Sequence, residues 1–178
     1  MTIKLPIEIN YTRGLMTKKT LVYYLFLIFL LVGADQASKT LLISHLKTEP
    51  GYLKEIFPFL DFVYAWNYGI SFGLFREYHQ YSNYLFLAFN SLIIIYLSYI
   101  FYKSNSIFFQ NGLAFILGGA LGNLFDRIFR GAVFDFLYFH YHELSFPAFN
   151  LADSFITIGA GCFIYSYIID WYRKDRKT

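Results

Sequence analysis

Four long apolar stretches run along the chain, separated by shorter segments that mix charged, polar and aromatic residues. The first stretch runs from Thr20 to Ala34, and its apolar pattern resumes at Leu41. A helix needs roughly 20 predominantly apolar residues to cross a bilayer, so we predict one crossing over about 20–44. The other stretches predict crossings at about 80–102, 104–126 and 151–170.

Residues 20–34 have a second interpretation when they are taken alone. They follow Lys18 and Lys19 and end at the small residues Gly33 and Ala34, which is also the pattern of a signal peptide. The apolar residues after Lys39 favour one continuous helix instead.

The third predicted helix carries a stripe of small side chains. Ala114, Gly118 and Gly122 recur every four residues and so lie on one helix face. Faces of this kind let membrane helices approach closely, and we expect packing to be their main role.

The connecting segments 45–79 and 127–150 have a different pattern. Residues 60–75 are rich in β-formers and are broken by Gly69 and Gly73, which predicts short strands and a tight bend. Tyr64 and Trp66 are typical of the aromatic belt at a membrane surface. We therefore expect this segment to lie at the surface and not to span.

Composition places the chain outside the soluble class. It is 57% hydrophobic, 23% aromatic and 15% charged over 178 residues, whereas ordinary globular chains are about 25% charged. We predict an all-α polytopic membrane protein. The net charge is only +3, and the basic residues cluster at the two ends and not along a helix face, so no nucleic-acid partner is expected.

The basic ends also predict topology. Four crossings place both termini on one side, and the positive-inside rule makes that side cytoplasmic. We expect a cytoplasmic arm at 1–19, a membrane domain at 20–170 and a basic tail at 171–178, with both long connecting segments facing outward. Met16 begins a plausible native start, so residues 1–15 are interpreted as an extension or as the result of an upstream start choice.

Polar side chains interrupt the apolar runs at the predicted outer helix ends. Asp35 and Lys39 are four residues apart, and Asn123, Asp126 and Arg127 share one face. Charged groups in such surroundings are costly unless they are paired. Local ion pairs, Asp35 with Lys39 and Asp126 with Arg127, are the simplest interpretation.

Two further aspartates are candidate catalytic residues. Asp135 lies in an apolar run without an adjacent cation, and Asp153 opens the last predicted helix, where capping of the helix N-terminus is its alternative role. Two carboxylates in one partly apolar site share a proton. One can then activate water while the other protonates the substrate, which is the chemistry of an aspartic peptidase.

Other functions have weaker support in the sequence. The predicted crossings contain no Gly-x-Ser-x-Gly motif and no Ser/His pairing. His140-Tyr-His142 lacks a second ligand cluster, so no metal is expected. An ion- or proton-coupled transporter would also use intramembrane aspartates, but nearer the bilayer midplane and within internal repeats. A noncatalytic scaffold would explain the glycines but not the two unpaired aspartates.

Five sequence blocks in order resemble the bacterial lipoprotein signal peptidases, also called signal peptidase II. The resemblance covers about residues 18–170. The blocks are Asp35-Gln-x-x-Lys39, Asn67-x-Gly69-x-x-Phe-Gly73, Gly118-Gly-Ala-x-Gly122-Asn123-x-x-Asp126-Arg127, Gly131-x-Val-x-Asp135-Phe and Phe149-Asn150-x-Ala152-Asp153.

The resemblance implies roles for individual residues. Asp135 and Asp153 would be the catalytic dyad, and Arg127 would hold the lipid-linked end or the backbone carbonyls of the substrate. The substrate-binding or supporting positions are Asp35, Lys39, Asn67, Gly69, Asn123, Asp126, Arg127, Asn150 and Ala152. Two departures from the family pattern, Ser71 and Phe134, leave every reacting group in place.

The resemblance also implies a fold and a substrate. Four transmembrane helices would carry a small extracytoplasmic β-cradle and a surface helix, the last two within residues 45–79. The enzyme would be a monomer of the bacterial inner membrane, surrounded by membrane lipids, with its active site at the extracytoplasmic face. It would need no cofactor, and it would cut lipid-modified prolipoproteins before the cysteine that carries the diacylglyceryl group.

Overall fold

The described residues form four helices and one small antiparallel sheet. This computed structural model describes residues 16–46, 52–69, 79–104 and 106–175. The elements are α1 (Lys18–His45), β1 (Leu53–Phe57), β2 (Leu60–Asn67), α2 (His79–Lys103), α3 (Ile107–Phe129), β3 (Val133–Tyr141), β4 (Leu144–Ser145) and α4 (Leu151–Asp175). The interpretation of residues 1–15 as an extension lies outside the described part.

Within the described ranges, three helices are long and apolar enough to cross a membrane. They are α1, residues Asn83–Lys103 of α2, and α3. The apolar section of α4 is shorter and covers Leu151–Ser166. The helices thus occupy the four stretches that the hydrophobic pattern singled out.

Helix α3 begins and ends slightly later than the predicted 104–126. Ser106 is its N-cap, and the hydroxyl of Ser106 accepts a hydrogen bond from the first helical turn. At the other end the Arg130 amide donates to the Asp126 carbonyl at 2.7 Å. Gly131 then turns the chain away with a φ of +79°, a conformation that glycine adopts without strain.

The sheet has the strand order β1-β2-β3-β4, and every pairing is antiparallel. Strands β1 and β2 come from the first connecting segment, but β3 and β4 come from the second. Our prediction placed strands in residues 60–75 alone, and it was incomplete. The first four residues of β3 are all buried, so the strand lacks the alternation that reveals a one-sided strand.

The surface helix expected in residues 45–79 stays a prediction. Residues 53–57 and 60–67 of that segment form β1 and β2. Residues 47–51 and 70–78, which include Ser71, lie outside the described part of the chain.

One face of the sheet packs on the end of α1. Phe134 is completely buried and clusters with Phe136 and Leu46. The Phe134 ring lies 5.1 Å from Tyr64 and 5.2 Å from Trp66, between ring centroids. Successive strand residues point to opposite faces, so Phe134 fills this core while Asp135 faces the other way.

Helix α3 packs against all three other helices, and its small residues set the spacing. A Cβ atom on Gly118 would lie 2.8 Å from Leu31, and one on Gly122 would lie 2.6 Å from the Asp35 carboxylate. The predicted stripe is confirmed as the surface that receives α1. A second face of α3 with small residues, which was not predicted, packs against α4, where Gly119 of α3 meets Ala152 of α4.

We expect Gly119→Ala to destabilise the protein by about 1–3 kcal/mol. The added methyl would lie 2.2 Å from the Ala152 carbonyl oxygen, and relief requires the α3 and α4 backbones to separate. Thermal unfolding in detergent measures the loss. Gly161→Ala is the matched control, because nothing lies within 4 Å of a Cβ there. Equal melting of the two variants would contradict this packing.

Candidate active site

The predicted polar residues converge at one end of the helix bundle. They come from the C-terminal halves of α1 and α3, the first turn of α4, and strands β2 and β3. Helices α1 and α3 run toward the sheet and α4 runs away from it, so three helix ends meet beside β3. The topology thereby brings together side chains that are far apart in sequence.

Lys39 lies at the centre of a buried ion cluster. Its Nζ atom is 2.8 Å from Oδ2 of Asp35 and 2.8 Å from Oδ2 of Asp126, and all three side chains are 0% exposed. The predicted Asp35–Lys39 pair is confirmed. The predicted pair of Asp126 with Arg127 is wrong, because adjacent helical residues point in different directions.

The carboxylate of Asp35 also ties α1 to α4. Its Oδ1 atom accepts a hydrogen bond from the Ala152 amide at 3.0 Å. Ala152 itself is completely buried and packs closely on Gly122 of α3. A small side chain at Ala152 therefore lets α1, α3 and α4 meet at the ion cluster.

Two residues of this cluster had no predicted role. Gln36 donates from Nε2 to the Gly122 carbonyl at 3.0 Å and to Oδ1 of Asp126 at 3.1 Å. Arg130 pairs with Asp126 and donates to Oε1 of Gln36 at 2.7 Å. Arg130 follows Asp126 by four residues, and this spacing is the sequence signal for the pair.

Asp135 is held on β3 by two amide side chains. Asn67 of β2 donates from Nδ2 to Oδ2 at 3.0 Å, and Asn150 donates from Nδ2 to Oδ1 at 2.6 Å. The side chain is nearly buried, with the residue only 3% exposed. Burial raises the pKa of Asp135 to about 7, and the charge of Asp153 adds to the rise.

Asp153 lies in the first turn of α4 and forms a reciprocal cap with Asn150. The Asn150 amide donates to Oδ2 of Asp153 at 3.2 Å, and the Asp153 amide donates to Oδ1 of Asn150 at 3.0 Å. This is the geometry of a capping box. Asp153 therefore does take part in capping, but Asn150 is the cap residue.

Two asparagines connect these groups. Asn150 contacts both Asp135 and Asp153. Asn123 donates to Oδ1 of Asp153 at 2.8 Å, and its own Oδ1 accepts a hydrogen bond from Nζ of Lys39 at 3.2 Å. The ion cluster is thus linked to Asp153 through one neutral side chain.

Arg127 lies apart from the ion pairs. Among the described residues it forms no salt bridge, and its buried Nη1 atom has no hydrogen-bond partner. Its Cζ atom lies 5.0 Å from the centre of the Phe86 ring. Gly69 is nearby, at the end of β2, and its amide donates to Oδ1 of Asn67 at 2.8 Å.

His140 of β3 lies outside the group of polar residues described above. Nε2 of His140 lies 3.2 Å from Oδ2 of Asp61. Across the residues that the structure describes, no group of three or more His, Cys, Asp or Glu side chains is arranged to hold a metal ion.

Residues 27–169 match the family model of signal peptidase (SPase) II. This chain belongs to the signal peptidase II family. The match includes the candidate site from Asp35 to Asp153, so the converging polar residues lie within the part of the chain that defines the family.

Curated relatives agree with this family assignment. The chain is 56% identical to the lipoprotein signal peptidase of Rickettsia akari (strain Hartford) over 141 residues, 79% of this chain and 72% of that protein. It is 55% identical to the lipoprotein signal peptidase of Rickettsia felis (strain ATCC VR-1525 / URRWXCal2) with the same coverage. As a member of the signal peptidase II family, the chain is a membrane peptidase that removes signal peptides from prolipoproteins.

Solved structures share the fold. A bacterial membrane enzyme determined by the in meso method at 2.3 Å resolution superposes with a TM-score of 0.73 at 29% identity, covering 85% of this chain and 91% of that one. A second, at 1.9 Å resolution, gives a TM-score of 0.71 at 29% identity, covering 82% and 92%. The helices and sheet of this signal peptidase II family member thus have an experimental counterpart.

We expect Lys39→Met to destabilise this signal peptidase II family member by roughly 3–5 kcal/mol, because removing one partner leaves buried carboxylates uncompensated. Both Asp35 and Asp126 would lose a contact of 2.8 Å. Unfolding in detergent, followed by circular dichroism, measures the effect.

Lys103→Met is the control for that substitution. Lys103 is exposed at the end of α2, and its replacement should leave the melting temperature nearly unchanged. A Lys39→Met protein that melts with the wild type would show that the ion cluster is not stabilising.

Proposed function

We propose that this family member is an aspartic endopeptidase in which Asp135 and Asp153 activate water. It cuts prolipoproteins before the cysteine that carries the diacylglyceryl group. The observation that carries the proposal is the position of Asn150, which donates hydrogen bonds to both carboxyl groups. A nearly buried carboxyl whose pKa is raised to about 7 by burial and by its partner's charge supports a shared proton.

The first step assigns different roles to the two aspartates. Asp135, whose pKa is raised by burial and by the charge of Asp153, is the protonated partner, and Asp153 is the base that accepts a proton from water. The resulting hydroxide attacks the carbonyl carbon of the scissile peptide bond, while the Asp135 proton stabilises the carbonyl oxygen as it gains charge. Asn67 and Asn123 hold the two carboxyls through hydrogen bonds of 3.0 and 2.8 Å.

The second step breaks the carbon–nitrogen bond. Asp153 returns the proton that it took from water to the leaving nitrogen, and the tetrahedral intermediate collapses to a carboxylic acid and an amine. The signal peptide leaves with the new carboxyl group, and the lipidated cysteine keeps the new amine. Each proton is conserved within the dyad and the substrate, so the cycle requires no cofactor.

The proposed membrane arrangement places the sheet outside the membrane. Helix α4 is the fourth crossing, both termini are cytoplasmic, and the sheet and the dyad are at the extracytoplasmic face of the bacterial inner membrane. The proposed bounds are 1–19 for the arm, 20–170 for the peptidase domain and 171–178 for the tail. Support comes from the basic residues near both ends and from the clustering of the polar groups at one end of the bundle.

The substrate enters from lipid in this arrangement. Its acyl chains lie against the apolar helices among membrane lipids, and the peptide bond reaches the dyad at the surface, where water is available. Arg127 supplies a buried donor without a partner among the described residues, suited to a substrate carbonyl oxygen. One monomer contains every group that the proposal requires.

We expect Asp135→Asn and Asp153→Asn each to lower cleavage of a diacylglyceryl-modified prolipoprotein at least about a thousandfold, since neither variant can share and transfer the proton. Purified protein in detergent and a gel-shift assay measure cleavage. Asp61→Asn is the matched control, because Asp61 is a buried aspartate of the same sheet that pairs with His140. Cleavage retained in both dyad variants would refute the assignment.

A pH profile tests the shared proton separately. Charged groups around Asp135 are Asp153 on α4, Lys39 on α1 and Arg127 on α3. Since the pKa of Asp135 is about 7, the carboxyl is protonated below that pH and ionised above it. We expect kcat/KM, which reports the free enzyme, to fall about tenfold per pH unit above about 7. A profile that stays level to about pH 9 would contradict this role.

A further inference from the structure

The ring of Phe86 separates Arg127 from the turn that ends β2. The Arg127 guanidinium carbon lies 5.0 Å from the ring centre. A Cβ atom on Gly69 would lie 2.4 Å from two carbon atoms of the same ring. Phe86 is on α2, so this single side chain contacts parts of the site that come from β2 and α3.

Among the described residues, few contacts position the guanidinium of Arg127. It has no ion pair among the described residues, although the charges of Asp135, Asp126 and Asp153 attract it. Nη1 is buried without a hydrogen-bond partner in the described part of the chain. An aromatic face within about 6 Å attracts a cation through the ring quadrupole, and it leaves the N–H groups at the rim of the guanidinium free to donate.

The same ring supports the turn at Gly69. Gly69 has a φ of +86°, and its amide donates to Asn67, whose Nδ2 donates in turn to Asp135. Any side chain at position 69 would meet the ring. The ring therefore contacts both the turn whose Asn67 holds Asp135, the proposed acid, and the guanidinium of Arg127.

We propose that Phe86 is a positioning residue, whose ring holds the Arg127 guanidinium with Nη1 directed to a carbonyl oxygen of the substrate. The proposal rests on the proposed function, because Phe86 acts through Arg127 on the bound prolipoprotein. The ring touches no reacting atom. Weakening the attraction of the ring for the guanidinium, with the shape of the ring kept, weakens substrate binding and leaves the chemical step at the dyad in place.

The test replaces Phe86 by phenylalanines with one, two and three fluorine atoms. Fluorine withdraws electron density from the ring face and weakens the ring quadrupole, with little change in ring size. KM for a diacylglyceryl-modified prolipoprotein should rise stepwise, by about 3- to 30-fold for the trifluoro ring. The kcat should stay within about twofold. Phe89, on the same helix and 60% exposed, is the control position, where the same series should change neither constant.

Two substitutions by standard amino acids extend the test. Phe86→Tyr keeps an aromatic face and should retain a KM close to that of the wild type, whereas Phe86→Met fills space without a ring and should match the trifluoro protein. A constant KM across the fluorine series, with normal wild-type cleavage, overturns this proposal alone. Absence of cleavage by the wild type, with verified substrate and folded enzyme, overturns the proposed function and this proposal with it.

Discussion

The buried ammonium group of Lys39 is the constraint on which this end of the molecule depends. A cation that is withdrawn from water must be compensated, and here two carboxylates lie 2.8 Å away, one on its own helix and one on α3. The Asp35 carboxylate also accepts a hydrogen bond from the Ala152 amide, and the Asp126 carboxylate accepts one from the Phe134 amide. The need to neutralise one charge thus fixes α1 against α3, α4 and the start of β3.

The site itself is lined by neutral donors. Asn67, Asn123 and Asn150 donate to the carboxyl groups of Asp135 and Asp153, while Lys39 and Arg130 are paired with carboxylates one step further away. A lysine in any of these three positions would favour the ionised carboxylate and lower its pKa. Amide side chains fix the orientation of a carboxyl without holding it permanently charged, which suits a pair proposed to exchange a proton.

Sequence patterns predicted the long helices, because long apolar runs leave few alternatives to a membrane-spanning helix. They also predicted the Asp35–Lys39 pair, since four-residue spacing is a local property. They missed β3, because a strand covered on both faces resembles any apolar run. The contact of Phe86 with Arg127 joins different helices, and no pattern within one segment records such a contact. The resemblance to a known family named the site residues, but not the partners of Asp126.

The reciprocal cap at the start of α4 has a consequence for how the enzyme is made. Asn150 caps α4 and Asp153 lies in its first turn, so both are synthesised after α1, α3 and β3, and Asn150 also holds Asp135. A nascent chain that has inserted only α1 to α3 lacks the proposed base and one of the amides that hold the proposed acid. The proposed proteolytic site is therefore complete only after the start of α4 has formed.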